Sequence, residues 1–598
     1  MKKILLIIPI WALLQISSCN YLDIQVEYDD LLPYDSVFHN TRNLQRYLWS
    51  IPTVFPDPGA VHSNPYTPGV MATDEGIVKF NPDEFQGIHF VTGGVTPSNL
   101  RGFNTWSSMY KAIRRVNILL SKMDEAADLD AISRIEIIGY ARFIRAYAYY
   151  HMFINFGPLI LLGDDVLMNN EPELYYNQAY RSTFDETVDY MCSEFEAAAE
   201  MMPLVVPLSQ FGRPTRGAAW GLVARLRLIQ ASPAYNGGDA ARRYFGGWKR
   251  STDGVNYIPQ VYDERKWAVA AAACERIINT GLYKLHTVPA NILTQPLPPN
   301  VPTAEFPNGV GGIDPYKSYA EMFNGESVAQ TNPEYLWAQM SGATEGTTKH
   351  SFAKTLLGGW NGMGITQKVI DAYRMADGKR IDEASDDYPY IPDQMYQGGP
   401  KNFSGYYLNN NISGMYANRE LRCYACVGFS KRYWTCLSST ESQYKNLTIT
   451  YHQGGNADKA DGGSNSRDYQ MTGYTITKYI HPDDAYKGNG SRIMGKAFPI
   501  IRYAEILLSY VEAMNNLTQS HTVNLSIGLN ETEDFTVSRN EEKMLAAFNP
   551  VHFRVGLPGL SLAEVGSESE MQKILEQERM VEFLFENRRY FDVRRWGI

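Results

Sequence analysis

The chain has 598 residues, 44% apolar and 20% charged, a composition that folds as a globular protein with room for two or three hydrophobic cores. Its net charge of -10 offers no basic footprint for nucleic acid. Tyrosine is the outlier: its 40 copies exceed Phe 25 and Trp 10 combined, and its apolar face and polar rim suit both helix packing and wet binding surfaces.

Lys2 and Lys3 precede an apolar run from Ile4 to Ile16, which reads as the n-region and h-region of a secretory signal. The run is shorter than the roughly 20 residues that span a bilayer, so residues 1–18 are expected to be a cleaved signal peptide. Ile16-Ser17-Ser18-Cys19 matches a bacterial lipobox, in which small residues let the peptidase reach the backbone and leave a lipidated Cys19 as the first residue. Each buried acyl methylene contributes about 0.8 kcal/mol, so several fatty acids tether a chain firmly without inserting it. Residues 19–105 are then a tether and N-terminal region, with Asn20 to Asp35 suited to be the tether.

From Trp106 to about Leu285 the signals are mostly helical, and residues 106–288 are predicted to form one helical domain. Tyr140, Phe143, Ile144, Tyr147 and His151 line one helix face; Ala218, Leu222, Arg225 and Leu226 begin another helix; Trp267 to Ile278 is a third, rich in alanine. Small residues facing aromatics are what tetratricopeptide-type pairs use, although no clean repeat of roughly 34 residues can be read, and periodicity alone says helical bundle.

Residues 289–498 change character, being rich in Gly, Pro, Asn and Tyr. Pro296 to Pro315 and Gln453 to Ser466 read as loops, and Thr448 to Tyr451 and Tyr474 to Tyr479 as short strands. Helices resume at about Arg502 and are predicted to fill 499–598, packing back on the scaffold. The last helix reads from Ile574 to Gly597. Glu578, Glu582 and Glu586 recur every four residues, a row that costs a few tenths of a kcal/mol per pair in an isolated helix and so needs cations. Arg579, Arg588, Arg589, Arg594 and Arg595 lie close by, and the segment is predicted to be a structural salt-bridge network.

This last segment resembles the C-terminal signature of the SusD/RagB family, surface nutrient-binding lipoproteins of Bacteroidetes outer membranes. Further stretches agree in order. Trp106, Tyr110, Ile113 and Asn117 are similar to the family's first core helix, and Tyr140 to Tyr150 with Phe156-Gly-Pro-Leu159 to its most regular motif. Gly212 to Ala219 with Ala231 to Tyr235, Ile365 to Tyr373 with Asp377-Gly378, and Phe498 to Glu505 with Glu512-Ala513 supply the rest. Family members usually continue past the arginine-tryptophan signature, whereas this sequence ends at Ile598. The resemblance implies a mainly α fold: a degenerate tetratricopeptide-like scaffold of helical pairs with a loop-rich, partly β variable region. It also implies a non-catalytic, surface-exposed lipoprotein of the outer membrane. Such a protein binds oligosaccharide and delivers it to a SusC-like TonB-dependent transporter, which it covers as a lid. Some relatives take up peptides instead.

A surface glycoside hydrolase is the rival reading. It needs two carboxyls roughly 5 to 9.5 Å apart, one with a raised pKa. Glu582 and Glu586 sit one turn apart, but nearby arginines lower carboxyl pKa values, which speaks against an acid role. No Gly-x-Ser-x-Gly, His-Glu-x-x-His or Walker pattern occurs. Binding asks less: a flat aromatic on a loop stacks on the C–H face of a sugar while Asn, Asp or Arg catch hydroxyls. Trp360-Asn361 in Gly-Gly-Trp-Asn-Gly leads these candidates, because flanking glycines let the indole stand clear. Tyr66, Tyr316, Tyr319 and Trp434 follow, and for each of them core packing is the competing role.

Cys423-x-x-Cys426 with Cys436 lacks a fourth ligand at metal-site spacing, leaving local disulfides or plain loop cysteines. No cofactor is expected. Asp458 to Asp468 is rich in oxygen ligands but lacks EF-hand spacing, so a solvated turn is the first reading and a structural calcium the second.

Overall fold

The computed structural model describes residues 37–62, 67–80, 82–166, 180–462 and 467–598. The signal peptide, Cys19, the tether and Tyr66 lie outside the described residues. No helix among the described residues is long and apolar enough to cross a membrane.

After α1 (Thr41–Ser50), helices α2 (Trp106–Lys122), α3 (Ala131–Phe156), α4 (Phe184–Met201), α5 (Arg216–Ala231) and α6 (Arg265–Asn279) form a ladder in which each packs on the next. Local chemistry starts these helices. Asp130 accepts the Ile132 and Ser133 N–H groups at the head of α3, and Thr183 with Glu186 forms a capping box on α4. The face predicted on α3 is buried, but so is nearly everything from Ile137 to Phe153, since α3 sits between α2 and α4. In α6 the alanines do what small residues allow: Ala268 and Ala270 to Ala273 are buried where the helix meets α5 and α9 (Tyr503–Asn515).

Buried arginines tie the ladder across its rungs. Arg145 of α3 donates to Glu194 of α4 at 2.7 Å and to Asn117 of α2 at 2.8 Å. Arg225 of α5 pairs with Glu505 of α9 at 2.7 Å and reaches the Tyr150 hydroxyl of α3 at 3.2 Å.

Residues 289–498 are not merely loops. They carry a second core in which Met363, Ile365, Val369, Tyr373, Val427 and Phe429 meet Val581, Leu584 and Phe585 from the chain's end. Short strands form near both predicted stretches: Leu447–Ile449 pairs with Arg432–Trp434, and Thr475–Ile476 with Val427–Gly428. A longer antiparallel pair, β1 (Tyr335–Ser341) and β2 (Lys496–Arg502), joins this region to the ladder. Its register sets Arg502 opposite Tyr335, and so beside Glu334.

Two expectations for residues 499–598 are corrected. The region is not all helical, because β3 (His521–Gly528) and β4 (Glu531–Val537) form a hairpin against α6. Val523, Phe535 and Val537 are buried while Thr522, Asn524 and Thr536 are not wholly covered, a period of two that the helical reading passed over. Nor is the end one helix. After α10 (Glu541–Arg554), α11 (Glu568–Glu582) stops, Phe585 and Asn587 take positive φ of 58° and 60°, and α12 (Arg589–Trp596) starts afresh. Helix α11 ends there because its last carbonyl is taken from outside: the Glu582 oxygen accepts from Arg502 at 2.9 Å and from the Tyr319 hydroxyl at 3.0 Å.

Glu578, Glu582 and Glu586 are buried and ion-paired, but not with the arginines beside them in sequence. Glu578 pairs with Arg422 at 2.5 Å and with His552 at 3.1 Å. Glu582 accepts from Arg502 at 2.7 Å, from Arg422 at 3.0 Å and from Arg554. Glu586 accepts from Lys478 at 2.6 Å and from Arg502 at 2.8 Å. Glu334 closes the lattice, with Arg502 and Arg554 each at 2.8 Å. The neighbouring arginines point elsewhere: Arg579 to Asp592 at 3.0 Å, Arg589 to Asp74 at 2.8 Å, and Arg588 to the Ile500 carbonyl and, at 3.6 Å, Glu505. The helix is interrupted after Glu582, and Arg588 and Arg589 beyond the break are turned away from the glutamate row.

Burial alone pushes the Glu582 carboxyl up, but Arg554, Arg502 and Arg422 reverse this and hold it well below the usual range. Removing one partner of a buried pair typically costs about 3 to 5 kcal/mol, because the other charges stay buried. Glu582→Gln should therefore lose about that much in urea unfolding and Arg588→Gln less, since Arg588 keeps one carboxylate only at 3.6 Å.

Candidate functional site

Among the described tryptophans only Trp360 is more than a third exposed, at 39%. It stands just after two short helices, α7 (Thr344–Ser351) and α8 (Lys354–Leu357). Gly358 ends α8 with φ of 79°, a left-handed cap that favours glycine. The Trp360 N–H then donates back to the Lys349 carbonyl at 2.8 Å. A Cβ on Gly362 would sit 2.0 Å from the Phe80 ring, so this loop can lie against the N-terminal region only without a side chain there.

The surroundings come from distant parts of the chain. His350 is 4.6 Å from the Trp360 ring, and behind it Phe80 and Phe85 meet His350 edge-on at 4.9 and 5.2 Å. His62 completes this floor, 5.6 Å from His350, its Nδ1 bonded to Thr347 at 2.8 Å. The Lys349 ammonium lies over Trp360 at 4.6 Å and over Tyr486 at 5.6 Å. At the rim Arg467 covers Phe80 at 4.5 Å and pairs with Glu84 at 2.6 Å, while Lys354 pairs with Asp468. The result is an exposed indole on a rigid aromatic base with charged, hydrogen-bonding groups around it. That arrangement suits stacking and polar capture. Among the described residues the two rim carboxylates, Glu84 and Asp468, each hold a cation.

The other predicted ligand residues lie elsewhere. Asn361, beside Trp360, is fully buried; its φ of 49° suits asparagine, and its amide donates to the Ala457 carbonyl at 3.1 Å. Tyr319 is buried with its hydroxyl on the end of α11, and Trp434 is buried against Phe352 at 4.8 Å. Tyr316 is half-buried, edge-on to Phe403 at 5.7 Å in the second core. For Asn361, Tyr319 and Trp434 packing wins over binding, since each satisfies a contact inside the fold. Sequence reading missed Lys349, His350, Tyr486 and Phe80. No stripe or motif marks them; only the fold brings them to Trp360.

The cysteines resolve one alternative. Cys423, Cys426 and Cys436 are buried free thiols, and burial pushes Cys423 and Cys436 up to about 12. No group of His, Cys, Asp or Glu able to hold a metal occurs among the described residues. Asp458 accepts the Gly454 and Ala460 N–H groups, and Asp461 those of Lys354 and Thr355, so both act as loop and helix caps.

Two family models match the sequence: that of the SusD family over residues 321–598, and one described as starch-binding associating with outer membrane over residues 39–228. The chain belongs to the SusD/RagB family. A SusD-like protein of Bacteroides ovatus is 24% identical over 144 residues, 24% of this chain. That match spans only a quarter of the relative's length, 25%. A solved SusD-like protein from Bacteroides fragilis is 21% identical with a TM-score of 0.64, covering 94% of this chain and 88% of its own. A SusD-like carbohydrate binding protein from the same species is 18% identical with a TM-score of 0.62, covering 94% and 87%. These likenesses show the shared fold, and the helical ladder is the tetratricopeptide-like scaffold of SusD-like proteins.

Burial lowers His350 to about 3 and His62 to about 4, so both stay neutral when folded at pH 5. The unfolded chain takes up those protons near pH 6.5, so stability present above that pH is lost as pH falls below it. Replacing His350 by Phe should shrink the loss between pH 7 and pH 5 by about 2 kcal/mol, read from urea melts at both values.

Proposed function

We propose that this SusD-like protein is a non-catalytic, cell-surface lipoprotein that binds oligosaccharide through Trp360 and delivers it to a SusC-like TonB-dependent transporter. The observation that carries the reading is Trp360 itself, an indole held outward by a glycine turn over a rigid aromatic floor. A sugar ring stacks by its C–H face on such a surface, and polar groups at the rim take its hydroxyls. Family membership and the carbohydrate binding stated for a protein of the same fold support it. Cys19 after a secretory signal supports lipid anchoring on the outer membrane, with the transporter as the docking partner.

The carboxylates that first suggested hydrolysis, Glu582 and Glu586, are spent on the scaffold. Glu578 and Glu582 are held ionised by arginine and histidine neighbours, and Glu586 is ion-paired with Arg502 and Lys478, all inside the core. A general acid needs the opposite environment.

Changing Trp360 to Ala should abolish retardation of the protein in polysaccharide-containing native gels while moving Tm by no more than about 2 °C. A large fall in Tm would make Trp360 a core residue. Wild-type protein incubated with a retained polysaccharide should release no new reducing ends. Cys19→Ala should move the protein from the membrane fraction to the soluble one, and continued attachment would refute the lipobox.

A further inference from the structure

Stacking alone does not account for the cations around Trp360. Lys349 leans on Trp360 and Tyr486, and no carboxylate among the described residues lies within the 4.0 Å of an ion pair. Glu345, one turn earlier on α7, has the spacing at which Glu and Lys pair on a helix. The ammonium is turned onto the rings instead. Lys487 repeats the pattern: it stands next to Tyr486, lies over Tyr444 at 5.5 Å and, among the described residues, donates only to the Thr355 carbonyl. Lys79, next to Phe80, lies 5.2 Å from the Tyr469 ring and donates to its hydroxyl at 3.1 Å. The contrast is local, because Lys354 and Arg467 of the same rim do hold carboxylates.

A cation over a ring keeps part of its charge unanswered, and an external anion can take it without breaking any ion pair. On a chain of net charge -10, anionic polymers are otherwise repelled, so attraction must be local. We propose that the glycan held at Trp360 is anionic, bearing carboxylate or sulfate groups that Lys349 and Lys487 bind while the indole takes a sugar face. The inference rests on the reading of Trp360 as a glycan site. Drawing the Lys349 ammonium toward the anion also uncovers the indole face it occupies, so charge recognition and stacking reinforce each other.

The test uses native affinity gels and calorimetry with matched polymers: dextran sulfate against dextran, and polygalacturonate against its carboxyl-reduced form. Retention by an anionic polymer and not by its neutral counterpart is expected, and which pair responds separates sulfate from carboxylate. Lys349→Met and Lys487→Met should each weaken binding about fivefold or more, Lys349→Arg should retain it, and about 0.5 M NaCl should suppress it. Unchanged Tm in the lysine variants shows that folding is not the cause. Trp360-dependent retention by neutral polymers that the lysine changes leave untouched would overturn the inference and keep the glycan reading. Anionic retention indifferent to Trp360 and both lysines would overturn the inference as surface adsorption. No retention of any polymer would sink both.

Discussion

One buried carboxylate organises this molecule. Glu582 holds Arg502, Arg422 and Arg554 together, and through them reaches Glu334, Glu578 and Glu586. These groups come from the end of β2, the short helix at Leu421–Cys426, α10, α11 and the turn after it, and the residue before β1. None can leave alone, because a charge abandoned in the core has no water to replace its partner. The loop-rich region and the C-terminal helices are therefore fastened at a common node. Apolar packing between them is continuous with it: Val581, Leu584 and Phe585, beside Glu582, lie in the second core.

The node explains the shape of the chain's end. A helix that ran on from Glu582 would carry its carbonyl groups past Arg502, Tyr319 and Lys478. Instead these donors claim the oxygens of Glu582 and Leu584, and the Tyr479 hydroxyl claims that of Phe585. The cost of a positive φ at Phe585 is offset by satisfied donors that are themselves buried. Helix α12 then folds back and ties itself to α11 and α9 through Arg579 with Asp592 and Arg595 with Glu512.

A scaffold fixed in this way lets the surface loops carry function. The Trp360 turn is held by backbone bonds from Trp360 to Lys349 and from Asn361 to Phe352, and by the Asn361 amide on Ala457. Rigid support keeps an exposed indole from collapsing onto its own core, and preorganised rings lose little freedom when a ligand arrives. The neighbouring Asn361, Tyr319 and Trp434 show the other fate of polar and aromatic residues here, spent inside the fold as cap or filler.

Local rules made much of this legible in the sequence. The scaffold helices follow from apolar and alanine periodicity, and Asp130 and Thr183 cap where capping residues should. Glycines around Trp360 foretold an indole standing clear, because glycine-bracketed turns are a short-range property. The need of the glutamate row for cations was also plain. Which cations answer it was not, since Arg422 lies 156 residues from Glu578 and Arg502 lies 80 from Glu582. The hairpin at His521–Val537 carried its alternation openly, yet its strands gain their meaning only from the helix they cover. Composition and short-range pattern determined a mainly helical, acidic, globular chain with an exposed aromatic loop. Tertiary structure decided which charges meet and which lysines and rings surround Trp360, because Coulomb and packing energies depend on distances in space that one-dimensional spacing does not set.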